Sequence, residues 1–181
     1  MKDLDEAWEW YRETREQLKL WRRILDKYWA QLPWQDSLER DDRFRSLDEH
    51  RLIASSDLSL RELDDLAVLV LFSVFESMVR SRISDEVQKE VEEKEIVHVI
   101  LVKATNDAIE RIESGSFFHV LESYKGLNRD LVEQVNQVRK YRNWVAHGKR
   151  GASPSIVDPR AAYDRLLRLW QIISPNSAAV D

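Results

Sequence analysis

The sequence has no cysteine, and it has only four glycines and four prolines among its 181 residues. Without cysteine the chain has neither disulfide bonds nor thiolate metal ligands, and this absence fits a cytosolic protein. Because glycine and proline are scarce, few residues interrupt helices. The longest apolar run, 66–72, is too short to cross a membrane. The charged start of the chain does not resemble a secretory signal, and we expect a cytoplasmic protein.

The residues that are abundant favour helices. Leucine, glutamate and arginine are strong helix formers, and apolar residues recur at helical spacings along most of the chain. Hydrophobic residues make up 43% of the sequence and charged residues 34%, which is typical of a globular domain. We therefore predict one all-α domain over residues 1–181, a bundle of about five to six helices.

Helix-breaking and capping residues define the predicted helix boundaries in the first half of the chain. Pro33 ends a long helix that begins near Leu4. Residues 34–58 are polar and are predicted to form a connecting segment with at most a short helix. Ser59 and Glu62 have the spacing of a capping box. We expect the most apolar helix of the chain to begin there and to be buried.

The second half contains three further predicted helices, over residues 94–113, 128–146 and 159–173. Asn128 is a suitable N-cap, and Pro159 suits the first turn of the last helix. Gly148 stands where a left-handed C-terminal cap is expected. Residues 175–181 are predicted to form a frayed tail.

Positive charge is concentrated in one stretch of an acidic chain. The formal charge of the whole protein is -5. Residues 134–157 contain no acid, whereas the rest of the chain carries 23 cationic and 33 acidic residues. This concentration predicts an anion site, and the presence of both arginine and histidine indicates a phosphate that is cut. The five cationic residues of the stretch are Arg139, Lys140, Arg142, Lys149 and Arg150.

Arg142 falls on the apolar face of its predicted helix. At 3.6 residues per turn it lies in the middle of a stripe that otherwise holds leucine and valine. A guanidinium there either extends its head into water or needs a partner, because an unpaired buried charge is costly. Glu76 lies on the apolar helix among hydrophobic residues. We predict an ion pair between Glu76 and Arg142, within one protomer or across an interface, although Glu76 also suits an ordinary helix surface.

His147 follows Arg142 by five positions. On a continuous helix the two side chains diverge by roughly 140°. They converge on one ligand within a chain only if the helix ends or loosens between them, and Gly148 favours such an ending.

The segment Arg142-Asn143-x-x-Ala146-His147-Gly148 resembles the Arg-x4-6-His motif of the HEPN superfamily. An apolar helix bearing Phe-Glu-Ser about sixty residues earlier, and a short helix afterwards, are also similar to that group. The resemblance covers most of the chain in helix order but only about a dozen residues in identity. It implies a HEPN-like helical bundle, usually a homodimer.

The resemblance also implies an activity. Many HEPN proteins are metal-independent endoribonucleases of toxin–antitoxin, abortive-infection or CRISPR-linked defence systems. Arg142 and His147 of two protomers would line one composite cleft, with Arg142 on the scissile phosphate and His147 in proton transfer. Asn143 would orient the phosphate or the catalytic pair. The implied products carry 2′,3′-cyclic phosphate and 5′-OH ends, and the resemblance implies no cofactor or metal.

Neighbouring residues suggest further contacts with RNA. Arg139, Lys149 and Arg150 are predicted to bind its backbone. Trp144 either stacks on a base or packs in the core or an interface. Some toxins of the superfamily carry a tyrosine two residues after the histidine, which a partner nucleotidyltransferase modifies. Lys149 occupies that position here, so inactivation by that route is not expected, although an antitoxin or regulatory partner is.

Two alternatives remain open on the sequence. In the first alternative the chain is a non-catalytic HEPN-fold module that binds RNA or a nucleotide. In the second alternative it is a helical dimerisation scaffold, in which Arg142 is buried for structural reasons and His147 caps its helix.

Overall fold

The computed structural model describes residues 1–32, 48–94, 98–117, 121 and 127–175. Within these residues the chain forms five α-helices, one short 3-10 helix and no strand. The α-helices are α1 (Leu4–Tyr28), α2 (Glu49–Glu93), α3 (Val99–Ser114), α4 (Arg129–Ala146) and α5 (Pro159–Ile173), and the 3-10 helix Trp29–Gln31 follows α1. The predicted all-α helical bundle is therefore confirmed.

Helix α2 is the central element of the bundle. It contains 45 residues and is about 67 Å long at 1.5 Å per residue. The other four helices pack against it. Its middle section is buried, as the sequence predicts for its most apolar helix. The core consists mainly of α2 side chains packed against those of α1, α4 and α5, including Leu4, Val68, Leu71, Phe72, Phe75, Val79, Val135, Val138, Leu166, Leu169 and Ile173.

Helix α1 lies antiparallel to the first half of α2. Arg22 pairs with Asp57, and Arg15 pairs with Asp64. The partner on α2 thus moves forward along the chain as the residue on α1 moves back. Tyr11 also donates a hydrogen bond to Asp64, at 2.7 Å. These contacts tie the amphipathic helix α1 to residues 57–64 of α2.

The predicted start of α2 is wrong. The helix begins at Glu49, where the side chain of Asp48 caps it by accepting a hydrogen bond from the Arg51 backbone N–H. Ser59 and Glu62 lie inside the helix on exposed positions, so they are not a capping box. Residues 49–58 are therefore helical and not part of a connecting segment. The remainder of that predicted segment, 34–47, lies outside the described residues.

The boundaries of α4 and α5 follow their capping residues. The side chain of Asn128 accepts a hydrogen bond from the Asp130 backbone N–H, and α4 ends at Ala146 as predicted. Asp158 caps α5 in the same way, through the backbone N–H of Ala161, and Pro159 occupies the first turn. Both helices therefore agree with the sequence-based prediction. Within the predicted tail, residues 176–181 are not described.

Helix α3 forms an arm with the end of α2. No side chain of α3 is buried, and none is buried in α2 after Val79. Val99 and Ile100, in the first turn of α3, are 80% and 71% exposed. The predicted start of this helix, Lys94, instead closes α2. None of the described helices has the length and apolar character that a membrane crossing requires.

Candidate functional site

The motif helix α4 ends in a left-handed turn. Gly148 has φ +70° and Lys149 has φ +59°. The Gly148 N–H donates to the Val145 carbonyl at 2.9 Å, and the Lys149 N–H donates to the Trp144 carbonyl at 2.8 Å. This pair of bonds is the Schellman cap. His147 occupies the C-cap position, so the cap fixes the backbone that carries its imidazole.

Arg142 is held by three neighbours. Its Nη2 donates to Glu76 Oε2 at 3.2 Å, and its Nη1 donates to Asn143 Oδ1 at 3.0 Å. The guanidinium carbon lies 5.3 Å from the centroid of the Phe72 ring, within range of a cation–π interaction. The ion pair that the sequence predicts between Glu76 and Arg142 is thus present, and it is formed within one chain.

A second arginine shares the same carboxylate. Arg80 Nη2 and Nε donate to Glu76 Oε1 at 2.6 and 3.1 Å. Arg80 also donates to the carbonyl oxygens of Ile112 and Gly115 at the end of α3, the latter at 2.9 Å. Its guanidinium carbon lies 5.5 Å from the centroid of Phe117. Glu76, Arg80 and Arg142 are referred to below as the Glu76 cluster.

The Glu76 cluster carries a net charge of one positive unit, because two guanidiniums share one carboxylate. Its members differ in access to solvent. The side chain of Arg80 is 16% exposed, that of Glu76 is 21% exposed and that of Arg142 is 27% exposed. Arg142 is therefore the member through which the excess positive charge is most accessible to an anion.

His147 does not join this cluster. Its side chain is exposed at the end of α4. The helix is regular through Ala146, so it does not loosen between Arg142 and His147 in the way that convergence within one chain requires. The two side chains leave the helix about 140° apart and about 7.5 Å apart along its axis. A single protomer thus presents them on different sides of α4.

Lys149 and Tyr141 are attached to α2 through one carboxylate. Lys149 Nζ lies 2.7 Å from Asp65 Oδ2 and 2.8 Å from Glu62 Oε1. The Tyr141 hydroxyl donates to Asp65 Oδ1. Burial, together with this hydrogen bond to a carboxylate, raises the pKa of Tyr141 to about 12. The hydrogen bonds to Asp65 and Glu62 raise the pKa of Lys149. We call Glu62, Asp65, Tyr141 and Lys149 the Asp65 clamp.

A cavity of about 420 Å³ lies beside the Asp65 clamp. Four carboxylates line it, those of Glu62, Asp64, Asp65 and Asp158, together with Arg61 and Lys149 as cations. Neither Arg142 nor His147 lines this cavity. Because its charge is mainly negative, the cavity is poorly suited to a phosphate.

The other predicted RNA contacts have different surroundings. Arg150 is exposed. Arg139 donates to Asn136 Oδ1 at 3.0 Å. Trp144 is partly buried against the main core, with its ring centroid 5.8 Å from that of Tyr141. Contacts of these residues with RNA stay predictions, and the position of Trp144 favours packing over base stacking.

Sequence reasoning missed Arg80 and Asp65. Arg80 stands four positions after Glu76, a spacing typical of an ordinary surface ion pair. Asp65 lies beside Asp64 in an apolar helix, where either carboxylate would have required a partner. The cost of an unpaired carboxylate was therefore a usable signal for Asp64 and Asp65. In the described part of the chain, no group of three or more histidine or acidic side chains is arranged to hold a metal ion.

Comparisons with known proteins give no match. Neither a protein-family model, nor a curated protein, nor a solved structure matches the chain. Function is therefore inferred from the motif at the end of α4 and from the contacts around it.

Proposed function

We propose that this chain is a HEPN-type endoribonuclease that cleaves RNA as a homodimer, in a prokaryotic defence or toxin–antitoxin system. The observation that carries the proposal is the state of the two motif residues. Arg142 belongs to a preorganised cluster with one excess positive charge, and His147 presents an exposed imidazole at a fixed helix end. An anion-binding group and a proton-transfer group thus stand five positions apart.

In the proposed reaction the RNA 2′-oxygen attacks the adjacent phosphorus, and the bond from phosphorus to the 5′-oxygen breaks. The products are a 2′,3′-cyclic phosphate and a 5′-OH end. Arg142 binds the non-bridging oxygens and stabilises the negative charge that grows on them. Its contacts with Glu76 and Asn143 hold the guanidinium in place before the substrate arrives, which limits reorganisation during the reaction.

Two protons move in this step. One leaves the 2′-OH, and one reaches the 5′-oxygen as it departs. Imidazole is the side chain most often used for such transfers near neutral pH. His147 is exposed, so its ring is accessible to a substrate. No protons or water molecules are gained or lost overall, and no metal is needed for the charge balance.

A dimer accounts for the divergence of the two side chains. Within one protomer they leave α4 about 140° apart. A two-fold axis near the ends of two α4 helices would bring Arg142 of one protomer towards His147 of its partner. The proposed cleft is therefore shared between protomers.

The direct test is incubation of the protein with total RNA in EDTA, alongside His147→Ala. We expect the parent protein to cut RNA and leave cyclic-phosphate ends, and the variant to be folded but inactive. His50→Ala is the matched control, because His50 is exposed and distant in sequence from the motif. Equal cleavage by the parent and His147→Ala, or cleavage only with added magnesium, would contradict the proposal.

Mixing of inactive protomers tests the shared cleft. Arg142→Ala and His147→Ala chains are denatured together, refolded and assayed. If the cleft is shared, half of the dimers are mixed and each mixed dimer keeps one complete pair, so about a quarter of the parent activity returns. No recovery above the separate variants would instead place the two groups in one chain.

The ion pair of Arg142 also favours a second candidate function, a helical scaffold whose motif arginine is purely structural. In that case Arg142→Lys, which keeps the charge but loses the planar donor fork, would reduce stability without affecting any RNA-dependent property. A folded Arg142→Lys variant that has lost RNA cleavage supports the nuclease.

A further inference from the structure

We infer that Arg80 is a positioning residue that keeps Arg142 able to bind a phosphodiester. The inference deepens the proposed function, on which it rests for the identity of the anion as RNA. The observation behind it is that Arg80 and Arg142 bind opposite oxygens of the same carboxylate, Glu76 Oε1 and Oε2.

Arg80 makes the closer of the two contacts. Its Nη2 lies 2.6 Å from Glu76 Oε1, whereas Arg142 Nη2 lies 3.2 Å from Oε2. Arg80 also adds a second donor, Nε at 3.1 Å, to the same oxygen. Charge-assisted hydrogen bonds strengthen as they shorten. The charge of Glu76 is therefore compensated mainly by Arg80, and Glu76 orients Arg142 without fully neutralising it.

Arg80 is fixed independently of any ligand. It donates to the carbonyl oxygens of Ile112 and Gly115, which close the C-terminal end of α3. Exposed carbonyls at a helix C-terminus carry partial negative charge and favour a cation. The Phe117 ring lies beside its guanidinium. With 16% of its side chain exposed, Arg80 is the least accessible member of the cluster and does not itself bind substrate.

Arg80 and Arg142 therefore have different roles: Arg80 compensates Glu76, and Arg142 presents positive charge to the anion. With Arg80 present, the Glu76 cluster has a net charge of one positive unit, and the more exposed Arg142 presents it. Without Arg80, Glu76 and Arg142 form an isolated pair with no net charge. Arg142 would then have the same carboxylate beside it but much less affinity for a second anion.

The test uses Arg80→Met in the full chain, with Arg82→Met as its matched control. Arg82 lies on the same helix and pairs with Glu86 at the same i,i+4 spacing, so the control removes the same charge. The probe is a short single-stranded oligodeoxynucleotide of mixed sequence, which offers phosphodiesters but lacks the 2′-OH needed for cleavage. Binding is measured at several salt concentrations, with Arg142→Ala defining the contribution of the motif arginine.

We expect Arg80→Met to weaken binding on the order of tenfold and to reduce the salt slope by about one. Arg82→Met should weaken binding no more than about twofold. In RNA cleavage, KM should rise more than kcat falls. Arg80→Gln, which keeps a donor for the carbonyls of α3, should behave in the same way and serves if Arg80→Met does not fold.

The decisive measurement is the effect of Glu76→Gln in two backgrounds. Where Arg80 is present, Glu76→Gln raises the net charge of the cluster to two units, but the charge it releases is mainly that of Arg80, the least accessible member, so binding should change by less than about threefold. Where Arg80 is replaced by Met, Glu76 neutralises Arg142, so Glu76→Gln should restore about tenfold of the lost binding. A merely structural role of Arg80 would give no such restoration, because Glu76→Gln does not repair the contacts with α3.

These measurements distinguish failure of the role inferred for Arg80 from failure of the proposed nuclease function. Equal effects of Arg80→Met and Arg82→Met, equal effects of Glu76→Gln in both backgrounds, or no Arg142-dependent binding by the parent would overturn the inference. If the parent binds the oligonucleotide through Arg142 and shows the expected restoration but cuts no RNA, the nuclease proposal fails and the role of Arg80 stands.

Discussion

Arg142 and His147 lie on the same helix, but their surroundings are opposite. Arg142 is partly buried and contacts Glu76, Asn143 and the Phe72 ring. His147 is exposed at the C-cap. One end of the motif is thus connected to the core through α2, whereas the other is held only by the backbone of the helix cap. We therefore expect substitution of Arg142 to lower both stability and the proposed activity, and substitution of His147 to lower the activity alone.

For the proposed endoribonuclease, the strongest effect should be on RNA cleavage, and it is common to both ends of the motif. Arg142→Ala and His147→Ala should each lower kcat by about 10²–10⁴-fold, the range for loss of a charge-stabilising or proton-transfer group. Stability should distinguish them. Arg142→Ala should lower the free energy of unfolding by about 1–2 kcal/mol because Glu76 loses a partner at a partly exposed site. His147→Ala should change it by less than about 0.5 kcal/mol.

Urea unfolding of the two variants measures this contrast. Their circular dichroism spectra at low urea check that both are folded before activity is compared. A destabilisation of His147→Ala equal to that of Arg142→Ala would contradict the comparison and would support a structural role for both ends of the motif.

The next effect concerns the carboxylate that connects Arg142 to α2. Glu76→Ala should destabilise the protein by about 2 kcal/mol, because two partly buried guanidiniums lose their common acceptor. Asp164→Asn is the control, since Asp164 pairs with Arg160 at an exposed i,i+4 site where such pairs contribute about 0.5 kcal/mol or less. Thermal or urea unfolding gives both values. Similar losses in the two variants would show that the Glu76 cluster is an ordinary surface network.

A smaller effect should follow removal of the contact nearest to His147. Lys149→Met breaks the bridges to Asp65 and Glu62 and should cost about 0.5–1 kcal/mol, because these bridges are partly screened by solvent. Cleavage should fall less than about tenfold, since the backbone cap that carries His147 is retained. Lys140→Met is the control, because Lys140 pairs with Glu133 on the surface. A loss of cleavage as large as that of His147→Ala would instead make Lys149 part of the reaction centre.

The sequence predicts the boundaries of α4 and α5 and the ion pair of Arg142 better than it predicts the contacts around them. Asn128, Gly148 and Pro159 fix the boundaries of α4 and α5 because capping depends on residues close in sequence. The charge of Arg142 on an apolar stripe likewise demands a partner, and Glu76 is found there. These predictions succeed since each depends on local geometry or on the cost of an unpaired charge.

The parts that the sequence did not predict depend on tertiary contacts. Ser59 and Glu62 have the spacing of a capping box, but α2 continues through them because residues 57–64 pack against α1. The role of Arg80 depends on the position of the α3 carbonyls, which no spacing along the chain reveals.

The last expected effect is absent at neutral pH: a dependence of stability on alkaline pH, centred on Tyr141, the tyrosine next to Arg142. Burial and a hydrogen bond to Asp65 raise the pKa of Tyr141 to about 12, and burial and a hydrogen bond to Asp5 raise that of Tyr163 to about 12. Both phenols are thus favoured as neutral groups in the folded state, whereas an unfolded tyrosine has a pKa of about 10. Between these values the folded chain binds more protons than the unfolded chain, so stability falls as pH rises. This contribution is complete below about pH 10 and is lost towards pH 12.

Urea unfolding from pH 9 to pH 11 measures the slope, and Tyr141→Phe should reduce it, because one of the groups that titrate differently has been removed. An unchanged slope in Tyr141→Phe would mean that the hydrogen bond to Asp65 does not hold the Tyr141 phenol in its neutral form.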